Sequence, residues 1–318
     1  MDKTAFIFPG QGSQRVGMGL HLLQERPDLV DRYYRPADEI LSLPLSTLCW
    51  EGPAETLQDT AVTQPAIFLT SLATLDVLRE HGARPDVVAG HSLGEFSALV
   101  AADVLDWTDA LRLVRRRGEL MSAVNESVPG SMAAVIGLDL ERVEKICAEV
   151  ATETGQIVEV ANDNEPAQAV VSGQSEAVDR VRVEAERLGA TKAVALNVGA
   201  PFHCSLMAGI EEEFTAELSR ITFRDPQVPF VSGVTGDYVT DAEDIVEGLR
   251  RQVADRVRWT ETVQRMAADG VGRFVEVGPG RVLGGLCRRI TSETEVRATN
   301  DERRLTQALA SLAESPAA

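Results

Sequence analysis

Cysteine is scarce and scattered in this chain. Its four residues, Cys49, Cys147, Cys204 and Cys287, form no Cys-x-x-Cys pair, so neither a zinc site nor a disulfide framework is expected. All four read as buried or incidental thiols, Cys204 included although it follows a histidine. Positive charge is also short: 31 Lys and Arg face 49 Asp and Glu, and the net charge of −18 repels nucleic acid and anionic membrane surfaces. The basic residues are clustered, however, in Arg115-Arg116-Arg117, Arg250-Arg251 and Arg288-Arg289, which allows a local positive face on an acidic protein. No apolar run reads as long enough to span a bilayer, and Met1-Asp2-Lys3-Thr4 leads into a strand with no signal-peptide pattern. A soluble, cytoplasmic protein is expected.

What the sequence does have, at 318 residues and 44% hydrophobic, is enough apolar material for one large core and a smaller lobe. The stretch that organises the reading is Asp86-Val87-Val88-Ala89-Gly90-His91-Ser92-Leu93-Gly94-Glu95. A short apolar strand runs into Gly-x-Ser-x-Gly, and Phe96, Leu99 and Val100 continue at helical spacing. That is the layout of a nucleophile elbow, in which glycines let strand and helix approach so that a strained turn exposes the serine hydroxyl. Ser92 is the candidate nucleophile. The amide of Leu93 then lies at a helix N-terminus, where it is free to donate to an oxyanion.

Upstream, Thr4 to Phe8 reads as a strand ending in Pro9-Gly10-Gln11-Gly12-Ser13-Gln14. A dinucleotide loop fails on spacing, because Arg15 stands where a third glycine should fall. A backbone-amide loop fits better, with Gln11 as the second oxyanion donor. Asp28 to Leu41, Gln64 to Arg79 and Thr108 to Met121 read as helices. Strand, helices, strand, elbow and helix predict an α/β fold, a large α/β-hydrolase-like domain with a parallel sheet.

From about residue 124 the rhythm changes. Strands over 131–136, 157–160, 169–172 and 192–198, helices over 140–151 and 175–188, and a turn over 162–166 give the order βαββαβ of a ferredoxin-like lobe. The expected division is residues 1–123 and 199–318 for the large catalytic domain and 124–198 for the inserted lobe, with the active site in the cleft between them. Beyond it come helices over 208–218 and 242–253 and a strand over 228–234. Another helix opens at Trp259, a strand covers 273–277, a last helix ends at Arg289, and the Ser315-Pro316-Ala317-Ala318 tail reads as disordered.

A serine needs a base, and histidine is the usual one near neutrality. Of four histidines, His21 and His81 sit in polar, helix-terminal surroundings, and the elbow directs His91 away from its neighbour, leaving it a supporting hydrogen bond. His203 is left, in a loop rich in glycine and proline. No carboxylate between Ser92 and His203 suits a third member, so a Ser-His dyad is expected, its histidine held by a backbone carbonyl.

Phe8-Pro9-Gly10-Gln11-Gly12-Ser13-Gln14, Gly90-His91-Ser92-Leu93-Gly94-Glu95, Arg117-Gly118, Phe202-His203-Cys204-Ser205-Leu206-Met207 and Glu276-Val277-Gly278-Pro279-Gly280 together resemble the malonyl-CoA:acyl carrier protein transacylases of fatty-acid synthesis and the acyltransferases of polyketide synthases. The resemblance runs from residue 4 to about residue 290. It implies an acyl ester on Ser92, His203 as base, and an oxyanion hole from Gln11 and Leu93. Arg117 would hold the free malonyl carboxylate in a bidentate pair, Gln252 would orient the histidine through its carbonyl, and Asn162 and Asn164 would line the acyl cleft. Phe202 resembles malonyl-type members, while a methylmalonyl, aminoacyl or larger acyl unit, and a carrier protein as donor, stay open. So do an editing acyl hydrolase, in which water replaces the thiol, and a silent carrier-protein-binding module. The implied partners are acyl-CoA and an acyl carrier protein docking on Arg288 and Arg289. The protein is expected to be a monomer needing no metal or redox cofactor.

Overall fold

The run Lys3–Phe8 is apolar without alternation, the pattern of a strand covered on both faces, and Ala5 to Phe8 are all 0% exposed in the computed structural model, which describes residues 3–127 and 129–313. The Ser315 to Ala318 tail lies outside the described residues. In chain order the strands are β1 Lys3–Phe8, β2 Val87–Gly90, β3 Gly130–Ile136, β4 Val158–Glu165, β5 Gln168–Gln174, β6 Lys192–Ala195, β7 Phe230–Val231, β8 Tyr238–Val239, β9 Val257–Arg258, β10 Val271–Glu276 and β11 Glu295–Ala298. The larger sheet has the order β11-β10-β1-β2-β7-β8, parallel except for the β7–β8 pair. Phe6, Phe8 and Val88 pack into the cluster formed with helices Thr60–Glu80, Gly94–Ala101 and Trp107–Ser127. Ala5, Ile7, Val87 and Ala89 face the other way, onto helices Trp259–Ala268 and Val282–Ile290. Helices on both faces of a mainly parallel sheet make the fold α/β.

Two long helices set the position of one later site residue. Gly118 lies where the second crosses the first; a Cβ there would sit 2.8 Å from Ala61 Cα, so only glycine permits this approach. The helix expected from Gln64 begins at Thr60, capped by the Asp59 carboxylate on Ala61 N–H, and Pro65 lies inside it. Proline cannot donate to the Ala61 carbonyl one turn back; Arg115 Nη1 occupies that carbonyl instead, at 2.8 Å. By length and composition this helix is apolar enough to cross a membrane, contrary to the expectation from the sequence. It is a core helix, with 94% of its apolar window buried.

The smaller sheet has the order β6-β3-β5-β4-β9, antiparallel except where β9 joins β4. Its fifth strand comes from beyond residue 198, so the expected segment 124–198 does not complete the sheet alone. Residues 162–165, expected as a turn, continue β4, and the chain reverses at Pro166-Ala167. Two register shifts in β4, between Val160 and Asn162 and between Asp163 and Glu165, accommodate that polar run. The strand expected over 228–234 shrinks to the two residues of β7. Helix Val282–Ile290 is not the last element, since β11 and helix Glu302–Ala313 follow.

Candidate active site

Close packing of glycine produces the turn after β2. A Cβ on Gly94 would lie 2.0 Å from Phe8 O, one on Gly90 2.0 Å from Gly94 C, and one on Gly10 2.5 Å from His91 O. Helix Gly94–Ala101 therefore starts directly against the ends of β1 and β2, and Ser92 is held at φ 53°, a left-handed conformation that costs a serine about 1 kcal/mol or more. Gly94→Ala is expected to lower stability by at least about 1–3 kcal/mol through this overlap, read as a depressed Tm; an unchanged Tm would mean that the two backbones separate freely.

The Ser92 hydroxyl meets two side chains from distant parts of the sequence. Oγ lies 2.7 Å from His203 Nε2 and accepts from Arg117 Nη2 at 3.0 Å. His203 itself has φ 57° and is 4% exposed. Its Nδ1 faces two backbone carbonyls, Gln252 O at 2.9 Å and Asp255 O at 3.1 Å. Carbonyls only accept, so Nδ1 carries the ring proton and Nε2 presents a lone pair to the serine O–H. Burial, then the Arg117 charge, then His91 push the His203 pKa down to about 3, against the pull of the two carbonyls. The imidazole is neutral at physiological pH, the state a general base requires. Protonation of Nε2 would remove the lone pair that faces Ser92, and burial places that event below the ordinary histidine range. Titration of the His203 ring followed by NMR should show it neutral throughout about pH 5 to 8; a midpoint near pH 6.5 would mean that His203 titrates as an exposed imidazole.

Arg117, on helix Trp107–Ser127, is 1% exposed. Nη1 donates to Gln64 Oε1 at 2.8 Å and Nη2 to Gln252 Oε1 at 3.0 Å, while the guanidinium carbon lies 5.8 Å from the centre of the Phe96 ring. Desolvation lowers its pKa to about 10 and the Glu95 charge opposes that, so it stays cationic. Gln252 is reached from both of its ends, since its backbone carbonyl meets His203 and its side-chain amide meets Arg117, Ser92 O and Glu95.

Ser92, His203, Arg117 and Gln64 border one cavity of about 290 Å³, with Gln252 behind them. Gln11, Ser92, Leu93, Arg117 and His203 form its polar end; Met121, Met132, Leu196, Val198 and Phe202 contribute apolar wall, with Asn162 beside them. The N–H groups of Gln11 and Leu93 are taken by no other backbone group among the described residues. The expected members are thus brought together with two differences. Asn164 does not border the cavity but accepts from His91 Nε2 at 2.8 Å, which gives His91 the supporting bond expected of it. Arg288 and Arg289 lie apart on helix Val282–Ile290, where Arg288 Nη2 occupies the Val296 carbonyl and Arg289 pairs with Glu165 at 2.9 Å. Sequence reasoning missed Gln64, Glu95 and the Asp255 carbonyl. The signal for Glu95 was available: it is a carboxylate three residues past Ser92, on a helix with no other charged residue.

A strained serine at a strand-to-helix turn, a neutral histidine on its oxygen and a buried guanidinium beside it define an enzyme site able to accept and hand on an acyl group. The acyl transferase domain family matches residues 5–299, and the chain belongs to it. The malonyl CoA-acyl carrier protein transacylase of Bacillus subtilis is 42% identical over 317 residues, covering 99% of this chain and 98% of that protein. An acyl carrier protein S-malonyltransferase from Vibrio cholerae superposes with a TM-score of 0.91 at 42% identity, covering 96% and 99% of the two chains. A malonyl-transacylase solved in complex with its type II polyketide synthase acyl carrier protein gives a TM-score of 0.92, also at 42% identity, covering 97% and 99%.

Proposed function

We propose that this protein transfers a malonyl unit from CoA to the phosphopantetheine thiol of an acyl carrier protein through an ester on Ser92. The observation that carries the reading is the pair of contacts on one oxygen, His203 Nε2 at 2.7 Å and Arg117 Nη2 at 3.0 Å, at the head of a cavity with an apolar wall. Ser92 Oγ attacks the thioester carbon and gives its proton to His203. The oxyanion is held by the N–H groups of Leu93 and Gln11. Collapse breaks the C–S bond, and the departing thiolate takes the proton from His203. The carrier's thiol then repeats the sequence in reverse, transferring its proton to His203 as it attacks the ester. Arg117 turns its two Nη groups to the malonyl carboxylate, a bidentate match that a lysine could not make.

The larger sheet and its elbow support an α/β-hydrolase-like domain over residues 1–123 and 199–318. The strand order β6-β3-β5-β4 with its two crossing helices supports a ferredoxin-like lobe over 124–198, to which β9 adds an edge. The carrier protein, acidic in this class of partner, docks at the exposed Arg288 and Arg289. The enzyme works as a cytoplasmic monomer and needs neither metal nor redox cofactor. Steady-state transfer with CoA donor and carrier protein both varied tests the scheme: parallel double-reciprocal lines with the acyl group recovered on the carrier are expected. Intersecting lines contradict the acyl-enzyme, and free malonate as the main product in the presence of carrier favours the hydrolase alternative.

A further inference from the structure

Glu95 is 2% exposed, in the first turn of helix Gly94–Ala101. Oε1 accepts from Gly233 N–H at 2.5 Å, and Oε2 accepts from the Gln252 side-chain amide. Both oxygens of the carboxylate accept and it offers no donor, so it decides which way that amide turns: NH2 towards Glu95, and Oε1 towards Arg117 Nη2. Among the described residues the hydrogen-bond partners of the Arg117 guanidinium are Gln64, Ser92 and Gln252, all neutral. The negative charge that answers it lies one amide away, on Glu95. A buried cation left without such a charge is costly, and an amide turned the wrong way would set donor against donor.

We propose that Glu95 is a positioning residue for acyl selection: as a carboxylate it orients the Gln252 amide and, through it, presents the buried Arg117 guanidinium to the free carboxylate of the acyl group. This rests on the reading that Arg117 grips that carboxylate. Glu95→Gln keeps the shape and reverses part of the polarity. If the new amide's oxygen keeps the Gly233 N–H, its NH2 faces the NH2 of Gln252. Gln252 must then flip, and it turns a donor towards Arg117. A neutral acyl group offers the guanidinium no carboxylate to grip, and whatever Arg117 does through its contact with Ser92 is common to both donors and cancels in their ratio, so the consequence for the ratio falls on malonyl.

The experiment is a double-mutant cycle on the full-length enzyme, reading the ratio of kcat/KM for malonyl-CoA to that for acetyl-CoA. Glu95→Gln is expected to lower that ratio by at least about tenfold, the effect of one charge-assisted hydrogen bond. In an Arg117→Ala background the same change should move the ratio by less than about twofold, because the group Glu95 acts through is gone. Should Glu95→Gln not accumulate as folded protein, Gln252→Ala breaks the same relay while leaving the backbone carbonyl to His203, and the same loss of ratio is expected. Equal losses for both donors, or ratio losses that multiply in the double variant, overturn the proposal and leave Glu95 a packing residue. Arg117→Ala with an unchanged ratio overturns the grip itself, and with it this inference, and that result is visible in the single variant alone.

Discussion

Ser92→Ala should form no acyl-enzyme and should lower transfer by a factor on the order of 10³ to 10⁶. The effect is this large because the elbow presents one hydroxyl only, and the His203 lone pair and the Arg117 donor both converge on it. The adjacent His91 cannot substitute: it is committed to Asn164 and faces Trp259 edge-on at 5.6 Å between ring centres. The fold should survive, since the residue lost is a single oxygen at the surface of a cavity. A mass increase on the Ser92→Ala protein after incubation with malonyl-CoA would place the ester elsewhere and remove Ser92 from the chemistry.

Arg117→Ala is expected to lower kcat/KM for malonyl-CoA by about a factor of 30 or more relative to that for a neutral donor such as acetyl-CoA, the loss of the Ser92 contact being shared by both donors. A carboxylate entering the cavity gives up part of its hydration, and a charge-assisted bidentate pair would replace it; losing that pair would cost on the order of 2 to 5 kcal/mol. The structure adds a second consequence. Removing the guanidinium leaves Gln64 and Gln252 short of a donor and Glu95 without the cation that favours its charged form, so Tm should fall as well. Glu95, whose pKa burial already pushes up to about 7, would then hold its proton to higher pH. Arg117→Lys should not restore malonyl selectivity, because one ammonium cannot span two acceptors in the geometry of a guanidinium. Equal losses on both donors would make Arg117 a structural residue.

How much of this was legible beforehand depends on how local each feature is. The elbow could be read from the chain because its requirements are local: glycines at 90 and 94 around a serine, a strand before and an apolar helix after. His203 could be found because histidines are few. Its restraint by the Gln252 carbonyl was implied by family resemblance and not by any local pattern, since a backbone carbonyl 49 residues away leaves no mark in composition. Gln64 and Glu95 were missed for the same physical reason. Their importance comes from a helix crossing at Gly118 and from an amide delivered from residue 252, which only the folded chain brings together. The polar run at 162–165 was misread because Asn, Asp and Glu before a proline have the composition of a turn. Pairing with β5, and with β9 from a remote segment, overrides that preference. Similarly, Gln64 was read as the start of a helix that in fact begins at Thr60, where Asp59 caps the earlier turn and Arg115 serves the carbonyl that Pro65 leaves open.

The proposed intermediate is a malonyl ester on Ser92 that passes to a carrier thiol. It is tested most directly by mass spectrometry of the wild-type protein, intact and after proteolysis, following mixing with malonyl-CoA and then with holo acyl carrier protein. The expected result is one added malonyl group, located on the peptide containing Ser92, which leaves the enzyme and appears on the carrier's phosphopantetheine when carrier is added. An enzyme that stays unmodified, carries the group on another residue, or loses it to water while the carrier remains unacylated would contradict the claim.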